Sequence, residues 1–445
     1  MANMRLDIYD AQGYKHRFYI MVRCTLKNET KLKKPPNGGW GWVVVFASFC
    51  VDAIAFAVGK GLGMFFTGIK EEFNASNSEV SLVLSLFFAC MGFAGLVVGV
   101  LIEILDVRKI LLLCGVVSCG GLTMCAFSPS IGFMYIGSVL SGLACGSAFI
   151  ASSSHTVIYF STLMPLANGI VLTGSPIGAT FVPYFNKFLL SEYGWRGGLL
   201  ILAGISLNFS SFGALVRPIA IAKVETAVKE AHERVSNGSR VFAALKKYWL
   251  ALLFLFFNVL FALAAFVPNV YIVPFAESKN YSESDCALFL SLISVGDIFC
   301  RPLAGAILTK SDLCKKHILS LVAFLMILFS AAQLLLVHCS SFFCLVLYTS
   351  LYGCLYGSAC TATMIAMPLL VGKQNLERYY GAFFTVGGVS TLIGVPFAGS
   401  LVDAHGRFED VFLYAFVCTF AGGIYVLILS FLKCCKSDQE TVVVS

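Results

Sequence analysis

Charge is scarce in this chain. Asp, Glu, Lys and Arg make up 12% of its 445 residues, about half of the roughly 25% usual in a soluble domain. With 58% hydrophobic residues and a mean hydropathy of +0.85, the chain reads as an all-α integral membrane protein. Groupings that support catalysis are missing as well. There are no paired catalytic acids, no His/Cys cluster at metal-ligand spacing and no nucleophile beside a base, which argues against an enzyme. Cysteine is plentiful, at 17 residues. Most of these (Cys50, Cys90, Cys114, Cys145, Cys300, Cys354, Cys418) lie in apolar runs, where the thiol acts as a small hydrophobe. No structural disulfide framework is therefore expected. The net charge of +7 does not imply nucleic acid, because the basic residues gather at the edges of apolar segments. Residues 1–38 lack an apolar core of signal-peptide length and are dotted with Lys and Arg, so they read as a cytosolic, largely disordered arm.

Twelve apolar segments are each near the roughly 20 residues a helix needs to cross the hydrocarbon. They span 41–66, 79–102, 109–128, 131–155, 164–190, 196–216, 249–274, 286–308, 317–337, 342–370, 379–401 and 410–432. With both termini in the cytosol, 24 of the 31 basic residues fall inside and five outside (Lys70, Lys187, Arg196, Lys279, Arg407). That bias sets the expected topology. The charged connection 217–248 divides the segments six and six. This gives a bundle at 39–216, a cytosolic linker at 217–248, a second bundle at 249–432 and a cytosolic tail at 433–445. Within the linker, 223–234 has the composition of a surface helix.

An internal repeat supports the division. Ser85, Leu86, Gly99, Asp106 and Lys109 match Ser291, Leu292, Gly305, Asp312 and Lys315 at an offset of 206. Gly169, Thr173, Leu189 and Gly194 match Gly381, Thr385, Leu401 and Gly406 at an offset of 212. A duplicated six-helix unit is the pattern of transporters built from parallel halves around a central site. Two basic residues remain inside the segments, Lys60 and Arg301. Asp297 and Arg301 stand four apart, on one face of a helix, and each charge costs about 2.5–3.5 kcal/mol at the bilayer centre. At offset 206 their counterparts are Met91 and Gly95. The duplicated fold does not require these charges, so they read as functional.

The run Pro35-Pro36-Asn37-Gly38-Gly39-Trp40-Gly41-Trp42-Val43-Val44 resembles the opening signature of the monocarboxylate transporter family (solute carrier family 16) of the major facilitator superfamily. Further signature-like runs are Tyr159-Phe160 through Pro165-Leu166-Ala167-Asn168-Gly169, with Gly174-Ser175-Pro176 and Gly178 following. Another runs from Gly194-Trp195-Arg196-Gly197 through Leu207-Asn208 to Arg217-Pro218. The resemblance covers about residues 35–432 and implies the major facilitator fold, a plasma-membrane location and alternating access. Lys60 before Phe65-Phe66, and Asp297 with Arg301, match the positions that proton-coupled members use. The resemblance also implies a single-span immunoglobulin-type chaperone as partner, although no residue of this chain identifies one. Two departures stand out. Asn37 replaces the usual acid of the opening signature, and Ser161-Thr162-Leu163-Met164, after Ile158, replaces a basic cluster between the fourth and fifth helices.

A small carboxylate entering an apolar cavity needs a fixed cation, and the planar fork of Arg301 meets it bidentately. Asp297, Lys60 and Asp52 are the expected proton-coupling groups, with Lys60 also near the substrate. Each has a plainer reading: a static ion pair for Asp297 and Arg301, snorkelling for Lys60, and a solvated cavity wall for Asp52. Tyr352 and Tyr356 share a helix face and either set substrate size or simply pack. His155 reads as a structural residue, Asn74 and Asn280 as sequons close to the membrane, and Cys434-Cys435 as a palmitoylation candidate. The leading expectation is proton-linked symport of lactate- or pyruvate-like monocarboxylates, with the proton as co-transported ion and no cofactor. Proton-independent transport of a zwitterion, taurine-like or creatine-like solute remains open, as does a transport-impaired adaptor.

Overall fold

The computed structural model describes residues 38–75, 77–217, 239–338, 341–372 and 376–444. The N-terminal arm and the 223–234 run of the linker lie outside them. Every described element is a helix. The first half comprises α1 (Trp40–Met64), α2 (Phe66–Phe73), α3 (Asn77–Ile104), α4 (Val107–Ala126), α5 (Ile131–Tyr159), α6 (Met164–Leu172), α7 (Gly174–Ser206) and α8 (Asn208–Leu215). The second comprises α9 (Ser239–Ala264), α10 (Val267–Ser278), α11 (Glu283–Lys310), α12 (Asp312–Lys316), α13 (Ile318–His338), α14 (Phe342–Val371), α15 (Leu376–His405) and α16 (Glu409–Val444). Below, the end of the molecule where α8 stops and α9 starts is called the linker side, and the opposite end the far side.

Among the described residues, eleven helices are long and apolar enough to cross a membrane. The twelfth span expected, over 164–190, is present in two pieces, α6 and the first part of α7. Pro176 is the reason for the break. It has no N–H to give the carbonyl of Leu172 four residues back, so the helix is interrupted at Thr173. The same helix α7 then runs into the next span through Gly194, whose φ of 64° and ψ of 179° mark a kink between two helices. The expected seventh span is also split, between α9 and α10. α11 begins with a capping box, Ser282 Oγ accepting from the Asp285 N–H while Asp285 Oδ2 accepts from the Ser282 N–H. Cys344, at the start of α14, is disulfide-bonded. This is one bridge where no disulfide framework was expected. Its helix starts at the far-side edge, within reach of water, unlike the cysteines of the apolar interiors.

The repeat is legible in the backbone. Asn74 (φ 46°) and Asn280 (φ 65°) are left-handed at matching helix ends, and Gly194 (φ 64°) matches Gly406 (φ 69°). Within the first half, α1 packs on α7, and α5 on both α3 and α4. Within the second, α11 packs on α14, α13 on α16, and α9 on α15. The halves meet chiefly through α3 with α15 and α6 with α11. These two crossings are one contact drawn twice. A Cβ on Gly95 would lie 2.2 Å from the carbonyl oxygen of Gly381. At the other crossing a Cβ on Gly169 would lie 2.7 Å from the carbonyl oxygen of Arg301. By the repeat, Gly95 corresponds to Arg301 and Gly381 to Gly169. The arginine therefore stands at a point where the duplicated fold elsewhere places a glycine. Backbones this close are how membrane helices gain packing energy without a hydrophobic driving force.

Each half is also clamped at its far side. Glu72 of α2 accepts from Trp195 Nε1 (2.8 Å) and from Arg196 Nη2 (2.6 Å) of α7, and Arg196 reaches on to the carbonyl of Ser128 at 3.2 Å. In the second half Lys279, at the end of α10, pairs with Glu409 of α16 at 2.8 Å. The two clamps occupy near-equivalent places with the charges exchanged. At the linker side the signature-like runs converge. Trp40 donates to the Leu215 carbonyl at 2.9 Å, the Arg217 guanidinium lies 3.8 Å over the Trp40 ring, and Trp42 meets Phe160 edge-on at 5.2 Å. His155 faces the Arg217 carbonyl at 3.4 Å, in keeping with a structural role.

The hydrogen bond from Arg196 holds the Glu72 carboxyl below the usual carboxylate range, with Trp195 adding to it. A carboxylate with a lowered folded value contributes stability that is present above its ordinary range and lost as pH falls through the folded value. Glu72→Gln should therefore lower the thermal midpoint of the purified protein at neutral pH, and the difference from wild type should shrink in acid. A difference that is constant with pH would contradict this.

Candidate substrate and proton site

The pattern in 291–305 folds as the spacing requires. α11 carries Asp297 and Arg301 on one face, and the pair closes bidentately. Arg301 Nε donates to Asp297 Oδ1 at 2.6 Å, and Nη2 donates to Oδ2 at 2.9 Å. Each residue is 7% exposed. The third contact crosses the molecule: Arg301 Nη1 donates to the carbonyl of Leu172 at 3.1 Å. That carbonyl is the one Pro176 leaves without its helical donor, and Ser175 Oγ shares it at 3.0 Å. A signature proline in one half thus frees the acceptor that holds the arginine of the other.

Gly357 of α14 makes room for the pair. A Cβ there would lie 2.5 Å from Asp297 Oδ1 and 3.2 Å from Arg301 Cγ. Tyr356 brings its ring to 5.9 Å from the Arg301 guanidinium and stacks on Tyr352 at 5.8 Å with the planes 6° apart. The hydroxyl of Tyr352 is committed to the carbonyl of Ala265, at the break between α9 and α10. Tyr356 therefore faces the pair, while Tyr352 braces it from behind.

Lys60 and Asp52 are placed differently. Lys60 lies in the last third of α1 and is exposed. Among the described residues it makes no hydrogen bond or ion pair, and it is not brought against Asp297 or Arg301. Asp52 is 0% exposed, so it does not line a solvated wall. Ser152 Oγ donates to its Oδ1 at 3.4 Å and Ser153 Oγ to its Oδ2 at 3.5 Å. Both are long for hydroxyl–carboxylate bonds. The residue sits where α1, α5 and the start of α7 meet, and a Cβ on Gly174 would lie 3.0 Å from the Asp52 Cβ.

The sequence reading passed over three contributors: the Leu172 carbonyl, Gly357 and Asn168. Asn168, next to Gly169 at the crossing, is 2% exposed. Neither its Nδ2 nor its Oδ1 makes a hydrogen bond of good geometry, although the Tyr380 side chain interacts with it. A buried amide held this weakly is costly in an apolar seam. The signal for Leu172 was present in Pro176, four residues on. Asn168 lies in the signature-like run 165–169, while Gly357 gave no signal that a single chain could reveal.

The arrangement is a charged pair buried between two duplicated bundles and anchored across their seam. The Major Facilitator Superfamily model matches residues 42–395. A crystal structure of the E. coli fucose:proton symporter FucP superposes with a TM-score of 0.68 at 13% identity, covering 86% of this chain and 98% of that one. Fold and site together define a multi-pass transporter of the Major Facilitator Superfamily, not an enzyme. Among curated relatives, monocarboxylate transporter 2 of Mesocricetus auratus is 30% identical over 417 residues, covering 88% of this chain and 84% of that protein. Monocarboxylate transporter 4 of Gallus gallus is 29% identical over 383 residues, covering 86% and 81%. The chain belongs to the monocarboxylate transporter family.

Gly357→Ala tests the fit of the pair. The added methyl should push Asp297 from Arg301 and lower transport by about tenfold or more, in line with the roughly 1–3 kcal/mol of an overpacked core. The measurement is initial uptake rate normalised to protein at the cell surface, with the half-buried Ser358→Ala as a control expected to stay near wild type. Equal rates for Gly357→Ala and wild type would show that the pair does not depend on this packing.

Proposed function

We propose that the protein is a proton-linked symporter of small monocarboxylates such as lactate or pyruvate, working at the plasma membrane by alternating access with both termini cytosolic. The observation that carries this is the buried, bidentate Asp297–Arg301 pair whose guanidinium also holds the Leu172 carbonyl of the opposite half. An incoming carboxylate offers Arg301 the same two-oxygen fork that Asp297 supplies. When substrate takes that fork, Asp297 is left as a buried carboxylate without its counter-ion, and it accepts a proton. Anion and proton then promote each other's binding, and the loaded site carries no extra charge. Lys60, exposed and unpartnered, is the cation a substrate meets on its way to Arg301. Tyr356, whose ring lies 5.9 Å from the Arg301 guanidinium, bounds the size of what the site accepts. The similarity to monocarboxylate transporters 2 and 4 supports this reading, and the basic residues of the linker support its orientation.

The polar contacts across the halves lie at the pair and toward the linker side. Leu166 N donates to Thr309 Oγ1 at 3.1 Å, and Thr385 Oγ1 donates to the Gly92 carbonyl at 3.2 Å. In this reading the linker side is closed, and rocking the halves about α3–α15 and α6–α11 opens it. Asp297→Asn should weaken or shift the stimulation of lactate uptake by external acid, measured in cells with surface expression matched to wild type. An unchanged pH dependence would sink the scheme.

A further inference from the structure

Asp52 is a second buried acid; at the offset of 206 the other half carries the buried amide Asn258, so the duplicated fold repeats a polar residue here but not the charge. An ionisable residue at such depth marks a functional site by default, because its burial is expensive. Its two weak serine bonds do not offset that burial in the way that Arg301 does for Asp297. Yet it is not remote from Arg301. The Leu172 carbonyl that accepts from Arg301 lies two residues before Gly174, whose backbone is packed on the Cβ of Asp52. The break at Thr173 therefore has Arg301 on one side and Asp52 on the other.

We propose that Asp52 and Asp297 share the single coupling proton through Arg301, so that the proton taken up with the substrate is distributed over two acids on opposite sides of the α6–α7 break. This rests on the reading of Arg301 as the carboxylate ligand. The charge balance closes. The count needs only the two acids and the guanidinium. A substrate anion adds one negative charge and neutralises the Arg301 field felt by both acids, and one proton restores neutrality on either of them. Two acids that respond to one cation titrate as a coupled pair. A proton suits the Asp52 pocket better than a metal cation. Both carboxylate oxygens already accept from serine, and the carboxylate is 0% exposed, whereas a hard cation asks for six or more oxygen ligands.

The other groups that face Asp52 are few. α5 brings the hydroxyls of Ser152 and Ser153, and its His155 is turned to the Arg217 carbonyl. α6, α8 and the start of α7 bring no titratable side chain, and α3 meets α1 two turns away at Gly59. On α1 itself Lys60 stands eight residues on, about two turns or ~12 Å along the axis, and Cys50 two residues before.

The test measures lactate uptake against external pH for wild type, Asp52→Asn, Asp297→Asn and the double variant. Each single variant should move the pH of half-maximal uptake, and the double variant should lose acid stimulation altogether, a non-additive outcome. If Asp52→Asn lowers uptake by the same factor at every pH, or leaves the Asp297→Asn profile unchanged, Asp52 is structural and the proposal fails. It also fails if replacing sodium with choline slows wild type but not Asp52→Asn, since that would make the site a sodium site. A second readout needs no transport. In infrared titration of purified protein, a carboxylic-acid band missing from Asp52→Asn should change its midpoint in Asp297→Asn, and independent midpoints would overturn the coupling. Should wild type move no monocarboxylate at all, the proposed function falls, and the infrared titration alone still decides whether the acids are coupled.

Discussion

A guanidinium buried between two apolar bundles needs partners for its donors, and Arg301 draws them from both halves. Two of its contacts go to Asp297 on its own helix and one to the Leu172 carbonyl across the seam. Removing one partner from a buried ion pair costs about 3–5 kcal/mol. The arginine therefore cannot let go of Asp297 unless another carboxylate arrives. It equally cannot leave the Leu172 carbonyl without a replacement acceptor. In the proposed scheme, substrate binding and relative motion of the halves are tied to this one guanidinium.

The duplication explains why the arginine stands where it does. Both halves cross the seam at equivalent points, and in each crossing the backbones touch. Where the first half keeps Gly95, the second carries Arg301. One symmetric packing solution thus became an asymmetric site through side chains alone. The break at Thr173 has a parallel at the split between α9 and α10. There the freed carbonyls of Ala262, Leu263 and Ala265 are taken by Thr391, Tyr414 and Tyr352. Tyr352 reads as part of that repair, which leaves Tyr356 as the aromatic side chain that faces the Asp297–Arg301 pair.

Much of this could be read from the chain, for physical reasons that also mark the boundary. Apolar length is a local property, so most of the spans and the repeat were legible. Asp297 and Arg301 were legible because charge at that depth is costly and helical spacing pairs them. The merger of α7 through Gly194 was not, because a glycine that kinks a helix and one that packs a helix look alike in a sequence. The burial of Asp52 was not legible either. Whether a mid-helix acid faces water or protein depends on which helices lie beside it, here α5 and α7. Gly357 and Asn168 matter only through residues more than fifty positions away in the chain, and one sequence without relatives does not encode that proximity in any local pattern.

The coupling of one proton to one anion is tested most directly by measuring both fluxes together in proteoliposomes holding the purified protein, with the membrane potential clamped at several values. If Arg301 exchanges Asp297 for a substrate carboxylate and one proton restores neutrality, lactate and acid equivalents should enter one for one at every potential. Lactate entry that carries net charge, or that proceeds without acid equivalents, would contradict the exchange at Arg301.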